Sequence, residues 1–151
     1  MKRRTFLAAA LASAFSTPLL AASPASPAAP VITVYKDAGC GCCEAWVSHL
    51  RDAGFTVDAR NVPDTAVYRK QFGIPEALAS CHTGQVGGYA LEGHVPAADI
   101  RRLLAARPAA RGLAVPGMPI GSPGMEGSRS DPYDVLLVGM DGRHSVYRHY
   151  N

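Results

Sequence analysis

Apolar and polar positions change period several times along the chain. From Val31 the run VITVY is β-branched and of strand length, and it stops at KDAGCG, where Gly39 and Gly41 permit a tight turn. Beyond the turn the period lengthens: Cys43, Trp46, Val47 and Leu50 fall on one helical face, Glu44 sits in the first turn and Gly54 supplies a stop. FTVDARNV predicts a second strand. PDTAVYRKQFG predicts a short helix with Asp64 as its N-cap and Gly73 at its end. After IPEALASCHT, the stretch GQVGGYALEGHV predicts a hairpin turning at Gly87 and Gly88. PAADIRRLLAARP then predicts a helix opened by Pro96, closed by Pro108 and buried along Ile100, Leu103 and Leu104.

The resulting order, βαβαββα, is that of the thioredoxin and glutaredoxin architecture. This is an α/β fold with a central mixed sheet, flanking helices, a cysteine turn at the start of the first helix and two later antiparallel strands. The rest of the chain departs from that plan. RGLAVPGMPIGSPGMEGSRSDPYD is rich in Gly and Pro, has no periodicity and predicts a long loop, whereas DVLLVGMDGRHSVYRHY predicts a closing hairpin around MDG. Within the loop, PGMP and PGME recur seven residues apart.

Upstream of Val31 the pattern is not that of a fold. Residues 1–22 combine a basic start, an alanine-rich apolar stretch from Phe6 to Leu20 and small residues at Ala21 and Ala22, the layout of an export signal. RRTFL is similar to the twin-arginine motif, but Lys2 stands where that motif prefers Ser or Thr, so the Sec route stays open. A retained anchor is disfavoured because the run is short and Pro18 interrupts it. Residues 23–30, SPASPAAP, make an extended linker, and residues 31–151 make one domain with one modest core. The leader therefore predicts an exported protein.

Charge changes meaning once the leader is set aside. The net charge of +3 comes from Lys2, Arg3 and Arg4; the remaining twelve basic residues balance twelve acidic ones. No basic run or interleaved aromatic pattern supports nucleic-acid binding. No apolar run after the leader is long enough to span a bilayer.

Four cysteines carry the candidate chemistry: Cys40, Cys42, Cys43 and Cys81. Bonds within CGCC would close almost no loop, so these residues do not read as structural staples. Thiols at a helix N-terminus face unpaired N–H groups that favour the thiolate, the form that attacks disulfides and binds metals. Cys40 and Cys43 have the C-x-x-C spacing of a catalytic redox pair. A third thiol, Cys42, invites mispairing in a dedicated oxidoreductase but is useful to a soft metal bridged by sulfur. Adjacent Cys42 and Cys43 should point in diverging directions, which suits two metal atoms better than one tetrahedral zinc.

In the thioredoxin plan the segment entering the third strand passes over the cysteine turn, so SCHT would bring Cys81 to face the other three thiols. The plainer reading makes Cys81 a small buried hydrophobe. Met118 and Met125 in the loop are thioethers, good ligands for Cu(I), or else they pack over the core edge. His82 beside Cys81 and His94 in EGHVP can complete a metal shell or hydrogen-bond to one, or serve as ordinary buried histidines.

The stretches VYKDAGCGCCEAWVSHLRDAGF, GIPEALASCHT, EGHVPAADIRRLL, GLAVPGMPIGSPGMEG and YDVLLV together resemble the CopG-type periplasmic copper-resistance proteins, long catalogued as a domain of unknown function. The resemblance covers nearly all of the chain after residue 31. It implies a thioredoxin-like fold in which Cys40, Cys42, Cys43 and Cys81 hold a thiolate-bridged cluster of several Cu(I) ions, with a role in handling copper redox state. The expected partners are copper ions and a copper efflux or redox protein. A thiol–disulfide oxidoreductase using Cys40 and Cys43 is the alternative, and a zinc-stabilised interaction domain is a third reading.

Overall fold

The computed structural model describes residues 30–151. The predicted export signal (1–22) lies outside the described residues, as does the linker (23–30) apart from Pro30. The described elements are β1 (Ile32–Lys36), α1 (Gly41–Asp52), β2 (Val57–Asn61), α2 (Ala66–Gln71), a 3-10 turn (Glu76–Leu78), β3 (His82–Val86), β4 (Tyr89–Glu92), α3 (Ala97–Ala106), β5 (Ala110–Ala114), β6 (Tyr133–Gly139) and β7 (His144–Tyr150).

All seven strands join one mixed sheet in the order β2-β1-β3-β4-β5-β6-β7. β1 and β2 run parallel, β3 runs antiparallel to β1 and β4 antiparallel to β3. The βαβαββα order expected from the sequence is therefore present, with the cysteine turn leading into α1. The hairpin turn falls at Gly87 and Gly88, both at positive φ, where a residue without a Cβ fits.

One expectation needs correction. The Gly/Pro-rich stretch is not loop from its start, because Ala110–Ala114 forms β5, parallel to β4 and antiparallel to β6. Its short sequence carries little strand signal. Gly112 lies so close to the backbone of Ala90 that any Cβ would overlap it, and this approach lets β5 dock between β4 and β6. Smaller differences lie at the helix ends. Thr65 occupies the position before α2, although Asp64 Oδ1 accepts from the Ala66 N–H at 2.8 Å and so still caps the helix. Helix α3 ends at Ala106, and Arg107 caps it in the left-handed region with φ 46°, one residue before Pro108.

The core fixes where α1 points. Cys43, Trp46, Val47 and Leu50 are fully buried, as their spacing predicts, and the last three pack in one cluster with Ile32 and Val34 of β1. Ile100 and Leu103 of α3 join Leu91, Leu113 and Val135 in the same cluster, whereas Leu104 is only partly buried. Each such side chain stabilises the fold by roughly 1.5–3 kcal/mol. Several of them along one helix face hold its N-terminal tip rigidly over the sheet. Trp46 adds a directional tie, donating from Nε1 to the Val95 carbonyl at 2.8 Å just before α3.

Candidate metal centre

The cysteine turn is built from local bonds. Asp37 Oδ1 accepts from the Gly39 N–H at 2.7 Å, and the Asp37 carbonyl accepts from the Cys40 N–H at 3.2 Å. Cys40 then occupies the N-cap of α1, where its sulfur accepts from the Cys43 N–H at 3.3 Å. Alternation along β1 turns Lys36 inward, and its buried Nζ meets Glu44 Oε1 in the first turn of α1 at 2.5 Å and Asn61 Oδ1 at 2.9 Å. Strand end and helix start are thereby tied together on either side of the turn.

The remote thiol joins this turn. The sulfurs of Cys40, Cys42, Cys43 and Cys81 all lie within 4.8 Å of one another, with Cys43 buried and the other three partly exposed. Cys81 Sγ is 3.5 Å from Cys43 Sγ and 3.9 Å from Cys42 Sγ, and Cys42 Sγ is 3.5 Å from Cys40 Sγ. Cys42 and Cys43, expected to diverge, both reach Cys81. Cys40 and Cys43 are joined by a disulfide, leaving Cys42 and Cys81 as free thiols. Two-electron reduction is therefore required before all four sulfurs can act as thiolates.

Both histidines named from the sequence meet the same sulfur. His94 Nε2 is 3.1 Å and His82 Nδ1 3.3 Å from Cys81 Sγ, so Cys81, His82 and His94 form a second group able to hold a metal ion. His94 Nδ1 lies 2.8 Å from the Pro123 carbonyl, an oxygen that can only accept. The proton therefore sits on Nδ1 and the Nε2 lone pair faces the sulfurs, as in a metal-bound imidazole held by an outer partner. Burial lowers the pKa of both rings, that of His82 to about 3 with help from neighbouring His94, so both are neutral and ligand-competent. His82 Nε2 has no hydrogen-bond partner although fully buried. Burial, then Cys42, pushes the Cys81 thiol up to about 12, which keeps it protonated until a metal displaces the proton.

The Gly/Pro loop crosses the helix tip. Gly124 at φ +83° lies against α1, where a Cβ would come within 2.6 Å of the Trp46 nitrogen and 2.7 Å of the Cys42 carbonyl oxygen. At the other side Gly117 is held by Ala79 and by the Ser80 hydroxyl, next to Cys81. Met118 and Met125 each follow one of these anchored glycines. Met118 is 52% exposed and Met125 half-buried, so neither is committed to the core.

Comparison with known proteins gives a concordant result. A family model described as "Protein of unknown function, DUF411" matches residues 78–125, the span from just before Cys81 to Met125. No curated protein matches. The solved structure named "Copper resistance protein copG- Form 2" is 45% identical, superposes with a TM-score of 0.77, and covers 82% of this chain and 99% of its own. This chain belongs to the CopG family. A second solved structure, "Copper resistance protein copG- Form 1", is 46% identical with a TM-score of 0.76, covering 81% of this chain and 98% of its own. The CopG likeness thus extends over nearly the whole solved relative. Of the residues expected from the sequence, the four cysteines, His82 and His94 lie together, whereas Met118 and Met125 sit on the loop after Gly117 and Gly124 without a contact to the sulfurs.

Sequence reasoning missed the supports of this CopG-type site. Lys36 could have been found, since period two from Ile32 and Val34 places it on the buried face. Glu92, a carboxylate inside YALEGHV, carried the signal of a charge in a buried strand. Pro123 and Gly124 act through backbone atoms and closeness to α1, which leave no side-chain pattern to read.

Proposed function

We propose that this chain is an exported, periplasmic copper-binding protein of copper resistance and homeostasis whose cargo is Cu(I), held in a thiolate-bridged cluster by Cys40, Cys42, Cys43 and Cys81. The observation that carries this reading is the meeting of the Cys81 sulfur with those of the CGCC turn, although Cys81 lies 38 residues beyond Cys43. Thiolates are soft ligands that select Cu(I), and sulfur can bridge ions, so four close sulfurs suit several copper atoms better than one zinc. The printed names of the solved relatives support copper as the metal. In this reading His94 and His82 add nitrogen donors and the Met118 and Met125 thioethers close over the cluster. A dithiol reductant opens the Cys40–Cys43 disulfide with two electrons and two protons, and copper then displaces the thiol protons. Cu(I)/Cu(II) interconversion and exchange with an efflux or redox partner follow as the cluster's further capacities.

Anaerobic titration of the reduced chain with Cu(I) against a competing chelator, followed by elemental analysis, tests the reading. More than one copper per chain is expected, with Cys42→Ser lowering the stoichiometry and leaving the fold intact. Unchanged stoichiometry in that variant counts against a shared cluster. The Cys40–Cys43 disulfide at the start of α1 favours one second reading, a thiol–disulfide oxidoreductase. That reading predicts insulin reduction dependent on Cys40 and Cys43, independent of Cys42 and Cys81, and no bound copper.

A further inference from the structure

The best-tied buried carboxylate in the fold stands beside the sulfur group. Glu92, the last residue of β4, is fully buried. Its Oε1 accepts from the Ser80 N–H at 2.7 Å and its Oε2 from the Thr83 hydroxyl at 2.6 Å. Ser80 and Thr83 bracket the Cys81–His82 dipeptide, so one side chain grips the chain on both sides of it. Arg69 of α2, itself buried, lies with Nη1 3.5 Å from Glu92 Oε1 and is anchored in turn on Glu76 by contacts of 2.8 to 3.1 Å. The backbone continues the same grip: the Gly93 N–H donates to the His82 carbonyl at 3.0 Å, and the next residue is His94.

A buried carboxylate is costly unless it is fully paired, and an apolar side chain at this position would serve the core at lower cost. What an apolar side chain cannot do is accept two hydrogen bonds from residues three apart. Cys81 lies just outside the β3 ladder, which begins at His82, so strand pairing alone does not hold it. We infer that Glu92 is a positioning residue for the site: through Ser80 and Thr83 it sets where the Cys81 sulfur and the His82 ring stand relative to the CGCC turn. For copper this inference rests on the function proposed above. For the metal-free thiol it stands on the hydrogen bonds alone.

The test uses the full chain and two readouts. In the metal-free form with the Cys40–Cys43 disulfide intact, a brief iodoacetamide pulse labels the free thiols, and mass spectrometry gives the Cys81-to-Cys42 labelling ratio. In the reduced form, competition with a chelator gives the Cu(I) affinity. Glu92→Ala should raise the ratio several-fold and lower Cu(I) affinity about 10- to 100-fold, the usual effect of losing an outer support of a metal ligand. Glu92→Gln keeps an acceptor for the Ser80 N–H, and its amide NH2 donates to the Thr83 hydroxyl in place of the bond that Glu92 accepts, so both clamping bonds persist and wild-type values should return in both. Val138→Ala, a core truncation in β6, controls for general destabilisation and should leave both unchanged.

The inference is overturned if folded Glu92→Ala keeps the wild-type ratio, if Glu92→Gln fails alongside it, or if Val138→Ala shifts the ratio equally. Should Glu92→Ala not fold, Thr83→Val, which removes one of the two clamping bonds, decides: an unchanged ratio overturns the inference. A wild-type chain that takes up no copper defeats the proposed function, while the labelling ratio still decides the role of Glu92.

Discussion

Trp46 concentrates several constraints in one side chain. It is the single tryptophan of the chain, fully buried, one helical turn beyond Cys43. Its indole N–H is satisfied by Val95, and its ring centroid lies 4.3 Å from that of His82. Its fluorescence therefore reports on the sulfur group from behind. Loading the reduced chain with copper should quench that emission in step with binding, saturating at the stoichiometry that elemental analysis gives. Bound copper with unaltered emission would place the metal away from the His82 face of the site. The two histidines divide the work around the shared Cys81 sulfur. His94 has its outer nitrogen fixed by Pro123, whereas the outer nitrogen of His82 is buried without a partner. In the proposed cluster His94 is thus the better oriented of the two nitrogen donors.

At the scale of elements, the site forms where three pieces meet: the tip of α1, the entry to β3 and the Gly/Pro loop. The loop is held by main-chain contacts, Gly117 at Ala79 and Gly124 at α1. Gly124→Ala offends twice, through a positive φ that disfavours any Cβ and through a clash with backbone atoms of Cys42 and Trp46 that have no room to yield. The substitution should cost roughly 1–3 kcal/mol of stability, read as a lower midpoint in denaturant. It should also lift the Pro123 carbonyl from His94 and weaken Cu(I) binding. A Gly124→Ala chain with wild-type stability and affinity would show that the loop does not bear on the site. The same scale explains why β5 was not evident in the sequence. ARGLA has no β-branched or aromatic residue to signal a strand, and its place depends on Gly112 fitting against β4, a property of two strands together.

For the whole molecule, the question is how the last two strands are secured to the rest. Tyr150 of β7 donates to the buried Asp99 of α3 at 2.6 Å, and its ring stacks on Tyr133 of β6 with centroids 4.9 Å apart. Burial and the nearby Asp99 carboxylate raise the pKa of Tyr133 to about 12, and burial with the Asp99 bond raises that of Tyr150 further. Tyrosines of the unfolded chain ionise near pH 10, so the folded state holds protons that the unfolded state releases. The stability these two groups provide is present below about pH 10 and is lost as pH rises through 12. Thermal midpoints should fall across that window, and absorbance at the tyrosinate band should show the two groups ionising later than the rest. Ionisation of every tyrosine together near pH 10 in the folded chain would contradict this docking.

The amino-acid sequence by itself determined the local periods, and with them β1, α1, β2, the β3–β4 hairpin, α3 and the closing hairpin, because each is encoded by neighbours within a few residues. It also determined the ligand chemistry, since thiols, imidazoles and thioethers keep their softness wherever they stand. Cys81 could be expected opposite the CGCC turn only by assuming a topology; tertiary structure decided that it reaches the turn and that His94 joins it, that Cys40 pairs with Cys43 while Cys42 and Cys81 stay free, and that Glu92 grips the Cys81 segment. Those are distances between atoms remote along the chain, fixed only when sheet pairing and the packing of α1 against the core bring them together.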